Sequence, residues 1–418
     1  MTKRIIAIAF IFVCASAGWA ILGGTIFART YSHDAVAENQ VISTWGATQN
    51  QSPPTALFRH VVSKKEETLE NGKKVVKTVE EIQTTNLPLE SSRINVGLDL
   101  EHRQKGLLWY NTYKVDFSGA YTFRNVSEKE EAVVFNLQFP TTEAVYDNLT
   151  FMVDGNTIPI TNQENSASGV VKIGAGKTAQ LDVGYRSQGL DEWRYSFGGP
   201  TVTQVRDFNL TMKTNFKEVD FPDNTISPTE KHETDNGWSL SWTYKNLLSG
   251  FQIAMVMPEK LQPGPLAGRI SFFAPVSLFF FFFLMFIITT MRGIELHPMN
   301  YVFLAAAFFS FHLLLAYLVD HVSIHAGFLI ASLVSIFLVV SYLRLVVGMQ
   351  FASREAALAQ FVYLVAFSYA FFLKGFTGLA ITGGTVVSLF VVMQVTGRIR
   401  WADKFALKPS EPPVAELT

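Results

Sequence analysis

Hydrophobic and polar positions along this 418-residue chain fall into two regimes. Near the start, and again beyond residue 269, apolar runs continue for about twenty residues with no charge; between them, apolar and polar residues alternate. A helix rises about 1.5 Å per residue and the hydrocarbon layer is ~30 Å thick, so roughly 20 apolar residues cross it. Six stretches meet that length: residues 5–27, 270–291, 299–318, 324–343, 356–373 and 375–397. One precedes the polar block and five follow it.

The middle block carries the period of a half-buried strand. Tyr113, Val115 and Phe117 alternate with Lys114 and Asp116; Val133, Phe135, Leu137 and Phe139, then Leu181, Val183 and Tyr185, then Leu240, Trp242 and Tyr244 repeat the pattern. Turn signals at Ser118-Gly119, Asp154-Gly155 and Asn236-Gly237 punctuate these runs. The spacing predicts a sandwich of antiparallel sheets. A charged hairpin is expected where 61–68 and 74–81 flank Asn71-Gly72. Residues 48–55, polar and containing Pro53-Pro54, read as a linker, and the proline-bearing tail from Lys408 reads as disordered. The fold class is therefore an α + β membrane protein. It comprises an N-terminal tip and span (1–27), a large mainly-β, sandwich-like extracytoplasmic domain (28–269), a five-helix bundle (270–397) and a tail (398–418).

Composition sharpens this division. Only 17% of residues are charged, against about 25% in soluble domains, which excludes a disordered chain and argues against a wholly soluble one. Residues 28–269 hold 24 Lys and Arg against 29 Asp and Glu, whereas the remainder holds 10 against 6, so the acidic excess sits in the middle block. A formal charge of −1 excludes a generally basic nucleic-acid binder. The single cysteine, Cys14, excludes an intramolecular disulfide and a thiolate metal cluster.

Basic residues beside the spans set orientation. With the N-terminus in the cytoplasm, Lys3, Arg4, Arg292, Arg344, Arg354, Arg398, Arg400, Lys404 and Lys408 fall inside, and the short outer loops hold only Lys374. Both termini are then cytoplasmic and 28–269 periplasmic, with Arg29 and Arg269 as exceptions at the outer surface. A cleaved signal peptide ending near Ala15-Ser16-Ala17 is the alternative reading of the first span, but the apolar run continues through Ile21, Leu22, Ile26 and Phe27, which favours a retained anchor.

Candidate chemistry is sparse. Gly174-Ala175-Gly176-Lys177-Thr178 resembles the end of a phosphate loop, yet Val171 stands where the first glycine belongs and both flanks are strand-like, so a hairpin turn is expected. Asp320, His321 and His325 place two histidines one helical turn apart beside a carboxylate, a weak metal pattern set against a plain polar loop. His312 lies inside the third span, where a polar group is a candidate for a proton or substrate role or a hydrogen bond to a neighbouring helix. Glu295 and His297 lie in a short turn where Pro298 restarts a helix. Gly383-Gly384 would either break the last helix or let it pack closely. His33, His60, His102 and His232 lack ligand spacing, and the Asn-x-Ser/Thr triplets at Asn125, Asn148 and Asn209 are near chance. No Gly-x-Ser-x-Gly elbow occurs. No catalytic, cofactor-binding or metal-binding residue is assigned.

Two stretches resemble a known family. Leu87-Pro88-Leu89-Glu90-Ser91-Ser92 leads to Arg103-Gln104-Lys105-Gly106-Leu107-Leu108-Trp109-Tyr110 and Tyr113-Lys114-Val115. Later, Gly293-Ile294-Glu295-Leu296-His297-Pro298-Met299-Asn300-Tyr301 is followed by Tyr317-Leu318-Val319-Asp320-His321 and Ile330-Ala331-Ser332. Both resemble the CreD family of bacterial inner-membrane proteins, while the segment Phe221 to Pro228 departs from the family pattern. The resemblance implies an inner-membrane location, the same plan of spans around a periplasmic domain, effects on envelope integrity and stress response, and no established catalytic residue. The expected function is a non-enzymatic envelope protein in contact with membrane lipid and with an envelope protein or glycan, without nucleic acid or cofactor. The alternatives are a lipid or small-molecule transporter built on the bundle and a membrane enzyme near Asp320, His321 and His325.

Overall fold

The computed structural model describes residues 2–32, 34–70, 73–198 and 203–397. The predicted tail and basic residues beyond 397, His33 and the Asn71-Gly72 turn lie outside the described residues. Two compact units emerge: Met1–Asp34 with Gly106–Leu108 and the chain from Leu261 onward, and Ala35–Lys105 with Trp109–Lys260.

The first unit is helical. Its elements are α1 (Thr2–Tyr31), then, after a second helix α2 (Asp34–Trp45) that opens the other unit, α3 (Pro263–Arg292), α4 (Pro298–Leu318), α5 (Ile324–Val346), α6 (Met349–Phe372) and α7 (Thr377–Thr396). Among the described residues, six helices are long and apolar enough to cross a membrane, in the order the hydropathy predicts. Their ends follow local chemistry: Gly293 takes a left-handed φ of 66° to close α3, and the His297 side chain accepts from the Met299 N–H to open α4. α1 and α3 meet where glycine leaves room. A side-chain carbon at Gly23 would lie 3.4 Å from the Phe272 backbone, and one at Gly268 would lie 3.1 Å from the Phe27 ring. α7 runs unbroken through Gly383-Gly384, and no atom lies within 4 Å of a side chain placed at either glycine, so this pair neither breaks the helix nor packs it.

The second unit is built of strands. In chain order these are β1 (Gln49–Gln51), β2 (Thr55–Glu70), β3 (Lys73–Asn86), β4 (Leu89–Lys105), β5 (Leu108–Arg124), β6 (Glu131–Gln138), β7 (Asp147–Val153) and β8 (Asn156–Thr157). They continue as β9 (Ile160–Gln163), β10 (Ser166–Ile173), β11 (Thr178–Leu190), β12 (Glu192–Tyr195), β13 (Thr203–Thr214), β14 (Glu230–Glu233), β15 (Trp238–Ser249) and β16 (Ile253–Val256). One sheet runs β14-β15-β13-β4-β5-β11-β7-β8, a second β3-β2-β6-β10-β9, and a short third β1-β12-β16. The alternating residues of the sequence face one shared core: Phe117, Val133, Phe135, Leu181, Val183, Leu240 and Trp242 are all buried there, and Phe123 of β5 meets Phe135 of β6 edge to face at 5.7 Å.

Three expectations need correction. The sheets are not purely antiparallel, because β13 runs parallel to β4 and β1 parallel to β12. Residues 48–55 are no linker: Gln49 and Gln51 are fully buried in β1. The Gln49 Nε2 donates to Ser187 Oγ and the Gln188 carbonyl, and Tyr185 Oη donates to Gln51 Oε1 at 2.6 Å. Polar composition reads as exposure, yet amides with partners are stable inside. Third, Gly174 to Lys177 is a turn but not a hairpin, since β10 and β11 belong to different sheets.

That crossing is held by Asn125, which is fully buried. Its Nδ2 donates to the carbonyls of Lys129, Ile173 and Gly174 at 2.9–3.1 Å, its Oδ1 accepts from Ser127 N, and its backbone N–H donates to Lys177 O. One amide thus ties the β5–β6 crossing to the β10–β11 crossing. Asn125→Ala is expected to destabilise the β unit by about 1–3 kcal/mol by stranding buried carbonyls. Asn125→Asp should be at least as harmful, because a carboxylate would face three carbonyls. Chemical denaturation followed by tryptophan fluorescence measures both.

A second crossing bends at Asp191, with φ 61°, between β11 and β12. Burial raises its carboxyl above the ordinary aspartate range; the Asn111 amide opposes this, and Glu38 and Glu259 add to it. A raised acid favours the folded state while protonated, so this contribution is complete below the ordinary aspartate pKa and is lost as pH climbs through the raised value. Asp191→Asn, which keeps an acceptor and tolerates the left-handed backbone, should raise the melting midpoint at pH 7. It should leave the midpoint unchanged below about pH 4.

Candidate functional site

Three prolines interrupt the strand ladders close to one another in the β unit. Pro53 and Pro54 separate β1 from β2, and Pro88 separates β3 from β4; lacking an N–H, each releases the chain from its neighbour. Together with Tyr195 to Gly198 and the start of β13, these segments enclose a cleft of about 680 Å³, within the ~300–1,000 Å³ of ordinary small-ligand sites. Its floor is aromatic. Tyr195, Phe197 and Phe208 pack with ring centroids 5.1–5.9 Å apart, and Phe123 joins them.

Its walls are amides and hydroxyls: Asn86, Ser92, Asn136, Gln138, Ser196, Thr203 and Gln204. The Gln204 amide donates to Asn246 at 3.0 Å, and Thr203 Oγ1 donates to the Gly198 carbonyl at 2.7 Å. One charge lines the cleft, Arg206, and Glu90 faces it at 3.9 Å. Amide and hydroxyl groups both donate and accept without ionising near neutral pH. Such a surface can orient a neutral polar ligand, and it does not shuttle protons. These residues escaped the sequence reading because asparagine and glutamine on alternate strand positions look like an ordinary solvated face.

The residues that did attract attention are dispersed. Asp320 forms an ion pair with Arg29 at 3.3 Å, and Arg29 also donates to the Ala316 carbonyl and lies over the Tyr317 ring. Arg29, an exception to the expected charge pattern, thus has an acidic partner. His325 instead packs on Phe372, with centroids 5.2 Å apart. Among the described residues no group of three His, Cys, Asp or Glu is placed to hold a metal. His297 is used as a helix cap, and Glu295 is exposed. His312 is wholly buried among Trp19, Phe308 and Phe311; Nδ1 faces the Phe308 carbonyl at 3.2 Å and Nε2 has no partner.

Within the helices, a buried polar chain was not legible in the sequence. Gln360 Nε2 donates to Ser335 Oγ at 2.8 Å, and Ser335 Oγ donates to the Ala307 carbonyl at 2.6 Å. Gln360 sits between two π-helical stretches of α6, Ala352–Ala356 and Phe361–Ala366, where the helix widens locally. Its Oε1 has no partner. Ser335→Ala removes both bonds and should cost about 1–2 kcal/mol. Gln360→Leu, which deletes an orphaned acceptor, should be neutral or stabilising. Thermal midpoints of the detergent-solubilised protein decide between these outcomes.

Comparison with known proteins adds the following. Residues 265–402 match a family model described as inner membrane protein CreD. No curated protein matches the chain. Among solved structures, a nutrient binding protein from Legionella pneumophila is similar at 10% identity over 56% of this chain and 76% of that one, with a TM-score of 0.35. An M1 zinc metallopeptidase from Deinococcus radiodurans is similar at 8% identity over 78% and 96%, with a TM-score of 0.28. Likenesses this distant do not establish a common fold. The family match covers the helices that carry the Gly293-to-Tyr301 and Tyr317-to-His321 motifs, so the C-terminal region of this chain, residues 265–402, is similar to the CreD family of inner-membrane proteins.

Proposed function

We propose that this chain is a non-enzymatic inner-membrane protein of the bacterial envelope whose β unit binds an envelope component in the proline-bounded cleft. The observation that carries this reading is the cleft itself: about 680 Å³, floored by aromatic rings and walled by neutral donors and acceptors. A glycan strand fits that chemistry best, because its hydroxyls match amide walls and its ring faces match an apolar floor. Both termini lie in the cytoplasm, so the β unit is periplasmic. Supporting this are the basic residues at one end of the helices and the Arg29–Asp320 pair at the other. A role in envelope integrity or stress tolerance follows from the family resemblance together with such a ligand. Transport by the bundle is the second reading, favoured by the buried Gln360–Ser335 chain and the π-helical stretches of α6.

The test is photocrosslinking in living cells from a photoreactive residue at Asn136 or Gln204, with Arg59, on the β2–β3 hairpin, as a control position. A defined glycan adduct from the two cleft positions and not from the control is the expected result. Adducts that do not differ among the three sites, or none from correctly inserted protein, would remove the cleft as a binding site. Attention would then turn to the bundle, where reconstituted transport is the measurement.

A further inference from the structure

The N-terminal end of α1 carries an unexplained charge. Arg4 Nε and Nη2 are buried and without hydrogen-bond partners, and the guanidinium lies over the Phe286 ring of α3, 5.7 Å from its centroid. Close to it is Tyr301 of α4, whose side chain is fully buried. Buried donors normally have acceptors, and a charged donor left without one is costly.

Directly along the helices from Arg4 runs an apolar groove of about 340 Å³. Ile5, Ile8 and Phe12 of α1 form one wall, and Phe279, Phe283 and Phe286 of α3 the other. Each set follows the i, i+3/i+4, i+7 stripe of one helix face. From residue 5 to residue 12 the groove extends about 10 Å along the axis, a third of the ~30 Å hydrocarbon layer. Phe286 belongs both to the groove and to the seat of the Arg4 guanidinium, so charge and groove are continuous.

From this juxtaposition we infer that the α1–α3 groove is a specific site for an anionic phospholipid. The phosphate accepts from the Arg4 guanidinium, and one acyl chain lies between the phenylalanines. Charge complementarity selects this occupant. A hydrocarbon chain alone leaves the guanidinium unpaired, and a free phosphate leaves the groove empty. A charge-assisted bond of this kind supplies affinity that a zwitterionic head group, which brings its own ammonium, does not match.

The experiment is native mass spectrometry of the full-length protein exchanged into equal amounts of dioleoyl phosphatidylglycerol and dioleoyl phosphatidylcholine. The wild type should retain the anionic lipid about tenfold more strongly, the factor that one good charge-assisted bond brings. Arg4→Gln should abolish that preference, whereas Lys3→Gln, which removes the same charge from an exposed neighbour, should keep it. Ala9 also lines the groove, and Ala9→Trp, which fills it, should lower retention of both lipids. Added inorganic phosphate should not compete. Equal retention of the two lipids by the wild type, equal loss in Arg4→Gln and Lys3→Gln, or a phosphate-displaceable anion would each overturn the assignment. So would a delipidated dimer that closes the groove. Should Ala9→Trp fail to fold, the Arg4→Gln and Lys3→Gln comparison decides alone.

Discussion

The helical unit depends on the seam between α1 and α3. These helices are separated in sequence by the whole β unit, and they approach most closely where one presents glycine and the other bulk. Phe27 lies against Gly268, and Phe272 against Gly23. In hydrocarbon there is no hydrophobic force to bring two apolar helices together, so shape and close contact carry the association. With α1 fixed, Trp19 enters the aromatic cluster of α4 and Arg29 reaches Asp320. The second half of the first apolar run, which set it apart from a signal peptide in the sequence, is the half that makes these contacts.

The β unit solves a different problem. It has no disulfide to close its loops, and its core must be held where the chain changes sheets. Asn125 and Asp191 stand at two such crossings, one as a fully partnered amide and one as a bent, half-buried carboxyl. Buried Gln49 and Gln51 do the same for the short third sheet. Polar side chains therefore act here as fasteners, held by backbone, hydroxyl or amide partners.

This explains which features the sequence displayed. Long apolar runs and strict alternation are statements about solvent, and both were legible: Phe117, Val133 and Trp242 face the core as their period required. Polar residues that turn inward carry no such signature. Gln49 and Gln51 read as linker, Asn125 as a chance triplet and the cleft amides as a solvated face, because their burial depends on partners brought from distant strands. The converse also held. Asp320, His321 and His325 looked like a site on spacing alone, but the fold gives Asp320 to Arg29 and His325 to an aromatic ring. Helix α2 was hidden for a third reason: its twelve residues lie in a polar block and show weak periodicity.

The parallel pairing of β4 with β13 sets a schedule for biosynthesis. Its partners lie far apart along the chain, as the Arg93–Asp207 contact across 114 residues shows. At roughly 5–20 residues per second the ribosome needs about 6–23 s to supply that interval. During this wait β4 and β5 can form only local pairs, with one long edge unclaimed and prone to misassociation. The adjoining β2–β3 hairpin pairs locally over most of its length, meeting β6 only at Thr55 to Leu57, and its sequence is rich in lysine and glutamate. It can fold at once and keep the nascent segment soluble until β13 arrives.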